Sequence, residues 1–359
     1  MKNSERILLG HLATFGDCLY ATAIARQIKH DYPYCHLTWA VGSPYRQTIE
    51  NNPYVDAIWE IPISNRNDIE RVWRTFAREA KQKQTTGEFD KIFLTQIAPD
   101  NYQNFDGTLR SSIFRGYPRQ ITVPIIPSIR LRPDEIERVQ QFVVLHGINR
   151  RKNVILFECA SYSSQSFVSP EFAMEAALLV LEQVPDCSFI LSSNVKIVSS
   201  DTRIIDGSIL RFRENAELTK YCTLLVGGSS GVSWLATSDW AKPLPTIQLL
   251  TKEMGTYASM CHDAEYFGLP YEHIIEMTEC STQHLANCII ASMNQSFSEV
   301  RRDFHEHIMV DLHFYIERFM RSQLRQFHLL KIIQSMSKVY KRYGVRPFIN
   351  YLRSKLHFA

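Results

Sequence analysis

Short apolar segments alternate with helical segments over the first 300 residues, and this alternation constrains the fold most strongly. In the first half it predicts strands at 6–9, 36–41, 57–61 and 91–97, with helices at 17–30, 44–51, 68–83 and about 132–146. Strands that alternate with helices form βαβ units, whose right-handed crossovers build a parallel sheet. We therefore expect a Rossmann-like domain over residues 1–150.

The same alternation restarts in the second half of the chain. It predicts strands at 153–157, 188–191, 224–226 and 246–250, with helices at 170–183, 215–218 and 232–239. A chain of 359 residues with 45% apolar and 21% charged residues is long enough for two ordinary cores. The predicted fold class is therefore α/β, with a second Rossmann-like domain over residues 151–300.

The loop after the first strand is the first candidate site. Gly10 and Gly16 bracket it, and Asp17 opens the helix that follows. Ligands of open α/β sheets bind at the carboxyl ends of strands, and a loop glycine permits close backbone approach. Asp17 supplies a carboxylate there, and His11 lies in the same loop. The alternatives are that Asp17 only caps the helix and that His11 only packs.

The Gly-Gly-Ser-Ser-Gly loop at 227–231 is the second candidate site. It follows an apolar strand and precedes a helix, so several of its amides lie at a helix N-terminus. Such amides are the physical requirement for cradling a diphosphate. The alternative is a turn that only connects the two elements.

These motifs, taken in order along the chain, are similar to those of a known enzyme family. The similar segments are 15–17 with their helix, 37–42, 50–56, 216–218, 225–231 and 235–236. Together they resemble glycosyltransferase family 9, the bacterial heptosyltransferase family. The resemblance covers roughly residues 5–295, and it implies the GT-B architecture, in which two Rossmann-like domains face a cleft.

The resemblance implies a reaction and the residues that carry it. The reaction is inverting transfer from a nucleotide-diphosphate sugar to a bacterial surface glycan, either lipopolysaccharide or polysaccharide. Asp17 falls on the catalytic aspartate, the base that deprotonates the acceptor hydroxyl, and His11 and Gly16 fall on the acceptor side. A general base of this kind contributes roughly 10²- to 10⁴-fold to the rate.

The resemblance also implies a donor site in the second half. Family members often have Thr or Ser and then Lys after the first strand of this half, whereas this chain has hydroxyls without the Lys. Ser229 stands where the family usually has Asp, and Trp234 where a His commonly follows. The candidate donor-binding residues are Ser161, Ser163, Ser164, Gly228, Ser229, Ser230 and Gly231.

No metal or other cofactor is expected. The chain has no Asp-x-Asp triplet, and its twelve histidines are dispersed; His305 and His307 have no carboxylate at ligand spacing. The eight cysteines are scattered singly without a C-x-x-C pair, which argues against a zinc site and a disulfide framework. We expect reduced, mostly buried thiols.

The last segment, 301–359, lies outside the resemblance and is predicted to be a basic helical tail. From Arg318 to the end there are ten Lys or Arg and no acidic residue, interleaved with apolar residues at helical spacing. This pattern is typical of an amphipathic helix on an anionic membrane surface. The alternatives are a helix that packs back on the two domains and, because of its charge, one that attracts nucleic acid.

The sequence thus favours an enzyme on the inner face of the plasma membrane. No signal peptide and no apolar run of about 20 residues is recognised, so a cytoplasmic, peripheral protein is expected. Its expected partners are a nucleotide sugar, a glycan or glycolipid acceptor and, through 318–359, an anionic membrane, but not nucleic acid. The alternative function is a catalytically silent GT-B-like protein that binds nucleotide or glycan and anchors an assembly.

Overall fold

The structure is a computed structural model, which describes residues 4–97, 101, 110–160, 165–252, 258–308, 312, 315–325 and 327–356. The chain divides into two compact units. The first comprises Met1–Arg130 with Val310–Ala359, and the second comprises Leu131–Met309. These bounds differ from the sequence-based division at residue 150, and the C-terminal segment groups with the first unit.

The first unit contains a parallel four-stranded sheet in the order β3-β2-β1-β4. Its strands are β1 (Arg6–Gly10), β2 (His36–Gly42), β3 (Ala57–Ile61) and β4 (Lys91–Leu94). Its helices before residue 131 are α1 (Phe15–Asp31), α2 (Ile69–Thr85) and the single turn α3 (Ser111–Phe114). The helix predicted at 44–51 is a 3-10 helix at Ser43–Thr48, where Pro44 lies in the first turn.

Helix α2 covers one face of this sheet because its apolar residues recur at helical spacing. Trp73, Phe76 and Ala80 are buried and belong to one cluster with Leu8 of β1. Gly10 at the end of β1 is part of this packing, since a Cβ there would lie 2.6 Å from Leu94 Cδ2. This glycine therefore serves close packing within the first unit.

The second unit contains a parallel six-stranded sheet in the order β10-β9-β8-β5-β6-β7. Its strands are β5 (Asn153–Glu158), β6 (Cys187–Ser192), β7 (Ile204–Asp206), β8 (Leu224–Gly227), β9 (Thr246–Leu250) and β10 (Ile274–Thr278). Its helices are α4 (Pro133–Leu145), α5 (Pro170–Gln183), α6 (Glu214–Leu218), α7 (Gly231–Leu235), α8 (Met260–Phe267), α9 (Thr282–Asn294) and α10 (Phe297–Phe304). The edge strands β7 and β10 were absent from the sequence-based prediction.

Helix α4 packs on the second sheet, although the sequence analysis placed it in the first domain. Val139 and Phe142 share a buried cluster with Val154 of β5. A buried ion pair joins α4 to the residue before α6: Arg213 Nε lies 2.8 Å from Glu135 Oε1, and both side chains are 3% exposed. These contacts explain why the second unit begins at Leu131.

The C-terminal segment is helical, as predicted. A π-helix at Tyr315–Met320 is followed by α11 (Arg321–Arg325), α12 (Leu329–Tyr343) and α13 (Arg346–Leu356). Among the residues that the structure describes, no helix combines the length and the apolar character that a membrane span requires.

Candidate functional site

The loop after β1 is held in place by hydrogen bonds to its backbone. The amides of Leu12 and Ala13 both donate to Gln96 Oε1, at 2.9 and 3.0 Å. The amide of Gly42 donates to Leu12 O at 2.9 Å, which ties the loop to the end of β2. Since Gln96 follows β4, three strand ends of the first sheet together position the start of α1.

Asp17 lies in the first turn of α1 and is half-buried. The helix is capped at Thr14, and Thr14 Oγ1 donates to Asp17 Oδ2 at 3.3 Å. Asp17 is therefore not the N-cap residue, although the helix dipole still favours a carboxylate in this turn. A carboxylate at the carboxyl edge of a parallel sheet is in the usual place for a ligand-facing group.

Tyr45 lies close enough to Asp17 and to Arg66 for both charges to act on it, and the sequence analysis included neither Tyr45 nor Arg66. The rings of Tyr45 and Phe15 meet edge to face, with centroids 5.0 Å apart. Burial raises the pKa of Tyr45; Arg66 opposes this increase, and Cys18 and Asp17 add to it. The one sequence signal for Tyr45 is its position, because it closely follows the carboxyl end of β2.

His11, which the resemblance places on the acceptor side, is buried in the structure. Its side chain is 0% exposed, and Nδ1 lies 3.0 Å from Thr95 Oγ1. Burial lowers the pKa of His11 to about 3, so the imidazole is neutral at physiological pH. This burial favours the alternative that His11 only packs. Gly16 is the second residue of α1 and half-buried, so it belongs to the helix rather than to the loop.

A row of polar residues crosses the second sheet near its carboxyl edge. Gln248 of β9 pairs with Gly227 of β8 on one side and with Glu276 of β10 on the other. Glu158 of β5 stands one residue beyond the Phe157–Val226 pair, next to Gly227. All three polar side chains are nearly fully buried. Their partners are the loops that follow β8 and β9.

Glu158 occupies the N-terminus of α7, where the sequence predicts a diphosphate. Its Oε1 accepts hydrogen bonds from the Ser230 hydroxyl and, at 3.2 Å, from the Val232 amide. Its Oε2 accepts from Ser233 Oγ at 2.5 Å. The positive end of this short helix thus already faces a carboxyl group of the protein.

The glycines of the second loop are explained by packing within the protein. A Cβ on Gly227 would lie 2.6 Å from Ser233 Oγ, and one on Gly228 would lie 2.4 Å from Ser166 Cβ. Ser229 is buried at a positive φ of 53°, and its hydroxyl donates to Ala258 O. The glycine pattern therefore does not require a bound phosphate.

The structure brings together only part of the predicted donor site. Gly228, Ser229, Ser230 and Gly231 follow one another between β8 and the first turn of α7. The other three predicted donor-binding residues, Ser161, Ser163 and Ser164, lie outside the described residues.

Cys261, Glu276 and His305 form a group that could hold a metal ion, with candidate ligand atoms within 4.8 Å of one another. The sequence analysis missed it because the carboxylate comes from β10. His305 Nδ1 accepts from the Glu276 amide at 3.0 Å, and Glu276 Oε1 accepts from Ser259 Oγ at 2.8 Å. Burial lowers the pKa of His305 to about 4, and Arg301 and His307 act in the same direction. Two of the candidate ligand atoms, His305 Nδ1 and Glu276 Oε1, therefore already accept hydrogen bonds from the protein.

All eight cysteines are free thiols, and seven of them are buried. This confirms the prediction of reduced, mostly buried cysteines. For Cys261, burial followed by the nearby Glu276 raises the pKa of the thiol, so it is protonated at neutral pH. An inert thiol of this kind fits a structural role.

No protein-family model matches the chain. No curated protein matches it either. Several solved structures are similar to it. A glycosyltransferase family 9 protein from Veillonella parvula is 13% identical, with 84% of this chain and 94% of that chain covered and a TM-score of 0.54. The ADP-heptose lipopolysaccharide heptosyltransferase II of E. coli is 11% identical, with 81% and 100% covered and a TM-score of 0.52. The predicted likeness to glycosyltransferase family 9 is thus confirmed for the fold.

Proposed function

We propose that the chain is a glycosyltransferase that moves a sugar from a nucleotide-diphosphate sugar to a bacterial surface glycan, with inversion and without a metal ion. The observation that carries this proposal is the position of Asp17. It lies in the first turn of α1, at the carboxyl edge of the first sheet, in a chain with the fold of glycosyltransferase family 9. The E. coli structure of the same fold is described as an ADP-heptose transferase, which supports a nucleotide-sugar donor.

In the proposed reaction Asp17 is the general base. The acceptor hydroxyl oxygen attacks the anomeric carbon while its proton passes to the Asp17 carboxylate. The bond from that carbon to the diphosphate oxygen breaks, and the nucleoside diphosphate leaves with the electron pair. A single displacement inverts the anomeric configuration.

The proposed donor site uses the hydroxyls of Ser161, Ser163 and Ser164 together with the loop at 228–231. A leaving diphosphate needs oriented donors where its charge develops. The amides of Ser230 and Gly231 supply donors here, whereas the Val232 amide binds Glu158. Binding of a diphosphate at this loop therefore has to overcome the nearby carboxyl group.

Glu158 also favours the alternative function. A carboxylate at the N-terminus of α7 repels a second anion at the same place. In the alternative function, the chain binds a glycan, or binds a nucleotide at another place, and transfers no sugar. In that case the fold is retained for binding, and the basic C-terminal segment anchors an assembly. The two functions differ in whether a nucleoside diphosphate is released.

We place the reaction on the cytoplasmic side, at the inner face of the plasma membrane. Lipopolysaccharide and polysaccharide precursors are carried on lipids, so the enzyme has to meet its acceptor at a bilayer surface. Ten Lys or Arg residues without an acidic residue over 318–359 support this location, because anionic lipids attract such a segment.

Product analysis tests the proposal. The purified protein is incubated with a panel of ADP-, UDP- and GDP-sugars and with lipopolysaccharide or polysaccharide acceptors, with and without a chelator. We expect acceptor-dependent release of one nucleoside diphosphate, unchanged by the chelator, and a product whose anomeric configuration is inverted in the NMR spectrum. If nucleotides shift the melting temperature but no nucleoside diphosphate is released, the catalytically silent alternative is correct. If no nucleotide shifts the melting temperature, the proposed donor site is wrong as well.

A further inference from the structure

The C-terminal helices carry an exposed apolar surface. The described part of the chain has 16 large hydrophobic side chains that are exposed, and nine of them lie between residues 324 and 352. They are Leu324, Phe327, Leu329, Leu330, Ile333, Tyr340, Val345, Ile349 and Leu352. We propose that this set, which we call the C-terminal apolar surface, docks onto a bilayer that contains anionic lipid. This inference rests on the membrane location proposed above and deepens it by naming the residues that contact lipid, and its test does not depend on catalysis.

Helix α12 has two opposite apolar faces. Ile332, Ser335 and Val339, spaced by three and four residues, are buried at 6, 0 and 0% exposure. Leu330 and Ile333, on the other side of the helix, are 75 and 61% exposed. Since one face already packs against protein, the helix is held in place while the second face remains open. The exposed face is therefore not needed for the packing of the helix.

Helix α13 adds a second exposed apolar face. Val345, just before the helix, and Ile349 and Leu352 within it follow the i, i+4, i+7 spacing of one helix face and are 56, 42 and 59% exposed. The turn before α12 adds Phe327, whose ring is 89% exposed at a positive φ of 57°. Isolated apolar residues are common on protein surfaces, but consecutive helices with outward apolar faces mark an interaction surface.

The charge of this region selects the partner. Glu317 is the last acidic residue of the sequence, and it lies 3.1 Å from Arg321. The cations after Arg321 include Lys331 and Lys341 on α12 and Arg353 on α13, and no acidic residue follows in the sequence to neutralise them. Basic side chains around an apolar face fit a surface with anionic headgroups above hydrocarbon. A nucleic acid would satisfy the charges and leave Phe327 and Leu330 in water.

Vesicle flotation tests the proposal with the full chain. Vesicles of phosphatidylcholine alone are compared with vesicles that also contain phosphatidylglycerol. We expect the protein to float with the anionic vesicles, to float poorly with the neutral ones, and to be released in part by salt because exposed charges are screened. The double variant Leu330→Ser, Ile333→Ser should bind at least about tenfold more weakly, since it removes apolar area.

A matched control separates lipid contact from general effects on solubility. Val198 and Ile209 in the second unit are 80 and 61% exposed, close to the values of Leu330 and Ile333. The double variant Val198→Ser, Ile209→Ser should float like the wild type. Both double variants should keep the wild-type melting temperature, because the altered side chains are exposed. The variant Asp17→Asn should also float normally, so a failure of docking is distinguishable from a failure of the proposed catalysis.

Three results would overturn the proposal. The first is a wild-type protein that does not float with anionic vesicles. The second is equal flotation of the wild type and the Leu330→Ser, Ile333→Ser variant. The third is binding to an RNA or DNA oligonucleotide that displaces the vesicles and is unchanged in that variant, which would assign the basic segment to nucleic acid.

Discussion

At the scale of single residues, the two candidate sites of the sequence analysis, the loop after β1 and the loop after β8, differ in the hydrogen bonds of their carboxyl groups. In the first unit, Asp17 is half-buried and receives a hydrogen bond from Thr14. In the second unit, Glu158 receives three hydrogen bonds from the predicted diphosphate loop and the first turn of α7. The predicted diphosphate site is therefore already in contact with a carboxyl group of the protein itself.

Asp17→Asn tests the base. The variant keeps the size of the side chain and its place in the first turn of α1, so folding and nucleotide binding should be nearly unchanged. Turnover should fall by roughly two orders of magnitude or more, because the amide of Asn cannot take up the proton of the acceptor hydroxyl. Glu171→Gln is the control, since Glu171 lies in the first turn of α5. If Asp17→Asn turned over at the wild-type rate, Asp17 would not be the base, and its carboxylate would only stabilise the first turn of α1.

Glu158→Gln tests whether a diphosphate binds at α7. If it does, removing the negative charge should tighten ADP or UDP binding by about tenfold or more, measured by calorimetry. Glu276→Gln is the matched control, because Glu276 is also a buried glutamate that accepts hydrogen bonds at the start of a helix, here from Ser259 and the Cys261 amide. Equal affinities in wild type and Glu158→Gln would place the diphosphate away from this loop.

Burial of His11 predicts a pH dependence of stability. The pKa of His11 falls from 6.5 to about 3 on folding, so below pH 6.5 the unfolded chain binds one proton more than the folded chain. The free energy of unfolding should therefore decrease as the pH falls from 6.5 towards 3, by up to about 1.4 kcal/mol per pH unit from this residue. Urea titrations at several pH values should show that the free energy of unfolding of His11→Gln depends less on pH than that of the wild type.

At the scale of elements, strands and helices with a clear period were predicted close to their observed bounds. Helix α4 was expected from about 132 to 146 and is observed at Pro133–Leu145. Its place in the fold was not predictable, because that depends on the contact between Glu135 and Arg213, which are 78 residues apart. The contacts of Glu158 were not predicted either, because they also join residues far apart in the sequence. The carboxyl group of Glu158 meets Ser230 and Ser233 only after β5 and β8 have paired.

From the buried Glu135–Arg213 ion pair we predict how much the attachment of α4 contributes to the free energy of unfolding. Arg213→Met leaves a buried carboxylate without its partner and should lower the free energy of unfolding by about 3–5 kcal/mol. In the double variant Glu135→Leu, Arg213→Met most of this loss should be recovered, since neither charge remains buried. Arg302→Met, which breaks an exposed pair with Asp303, should cost at most about 1 kcal/mol. Urea denaturation measures all three, and additive losses in the double variant would contradict the coupling.

At the scale of the whole molecule, the chain is two compact units, and the boundary between them decides which fragment can fold. The second unit runs from Leu131 to Met309, whereas the sequence analysis began this domain at residue 151. Between these two starting points lies α4, whose Val139, Phe142 and Val143 are buried with Val154 and Leu156 of β5. A fragment without α4 would expose this cluster to water.

Two fragments therefore test the division. Fragment 131–309 should unfold in one cooperative transition, because it contains every strand of the six-stranded sheet together with the helix that covers the Val154 side. Fragment 151–309 should be strongly destabilised or aggregate, since it loses four side chains of the buried apolar cluster and leaves Arg213 buried without Glu135. Calorimetry and size-exclusion chromatography distinguish these outcomes. Equal stability of the two fragments would restore the boundary at residue 150 and make α4 a connecting helix without a role in the second core.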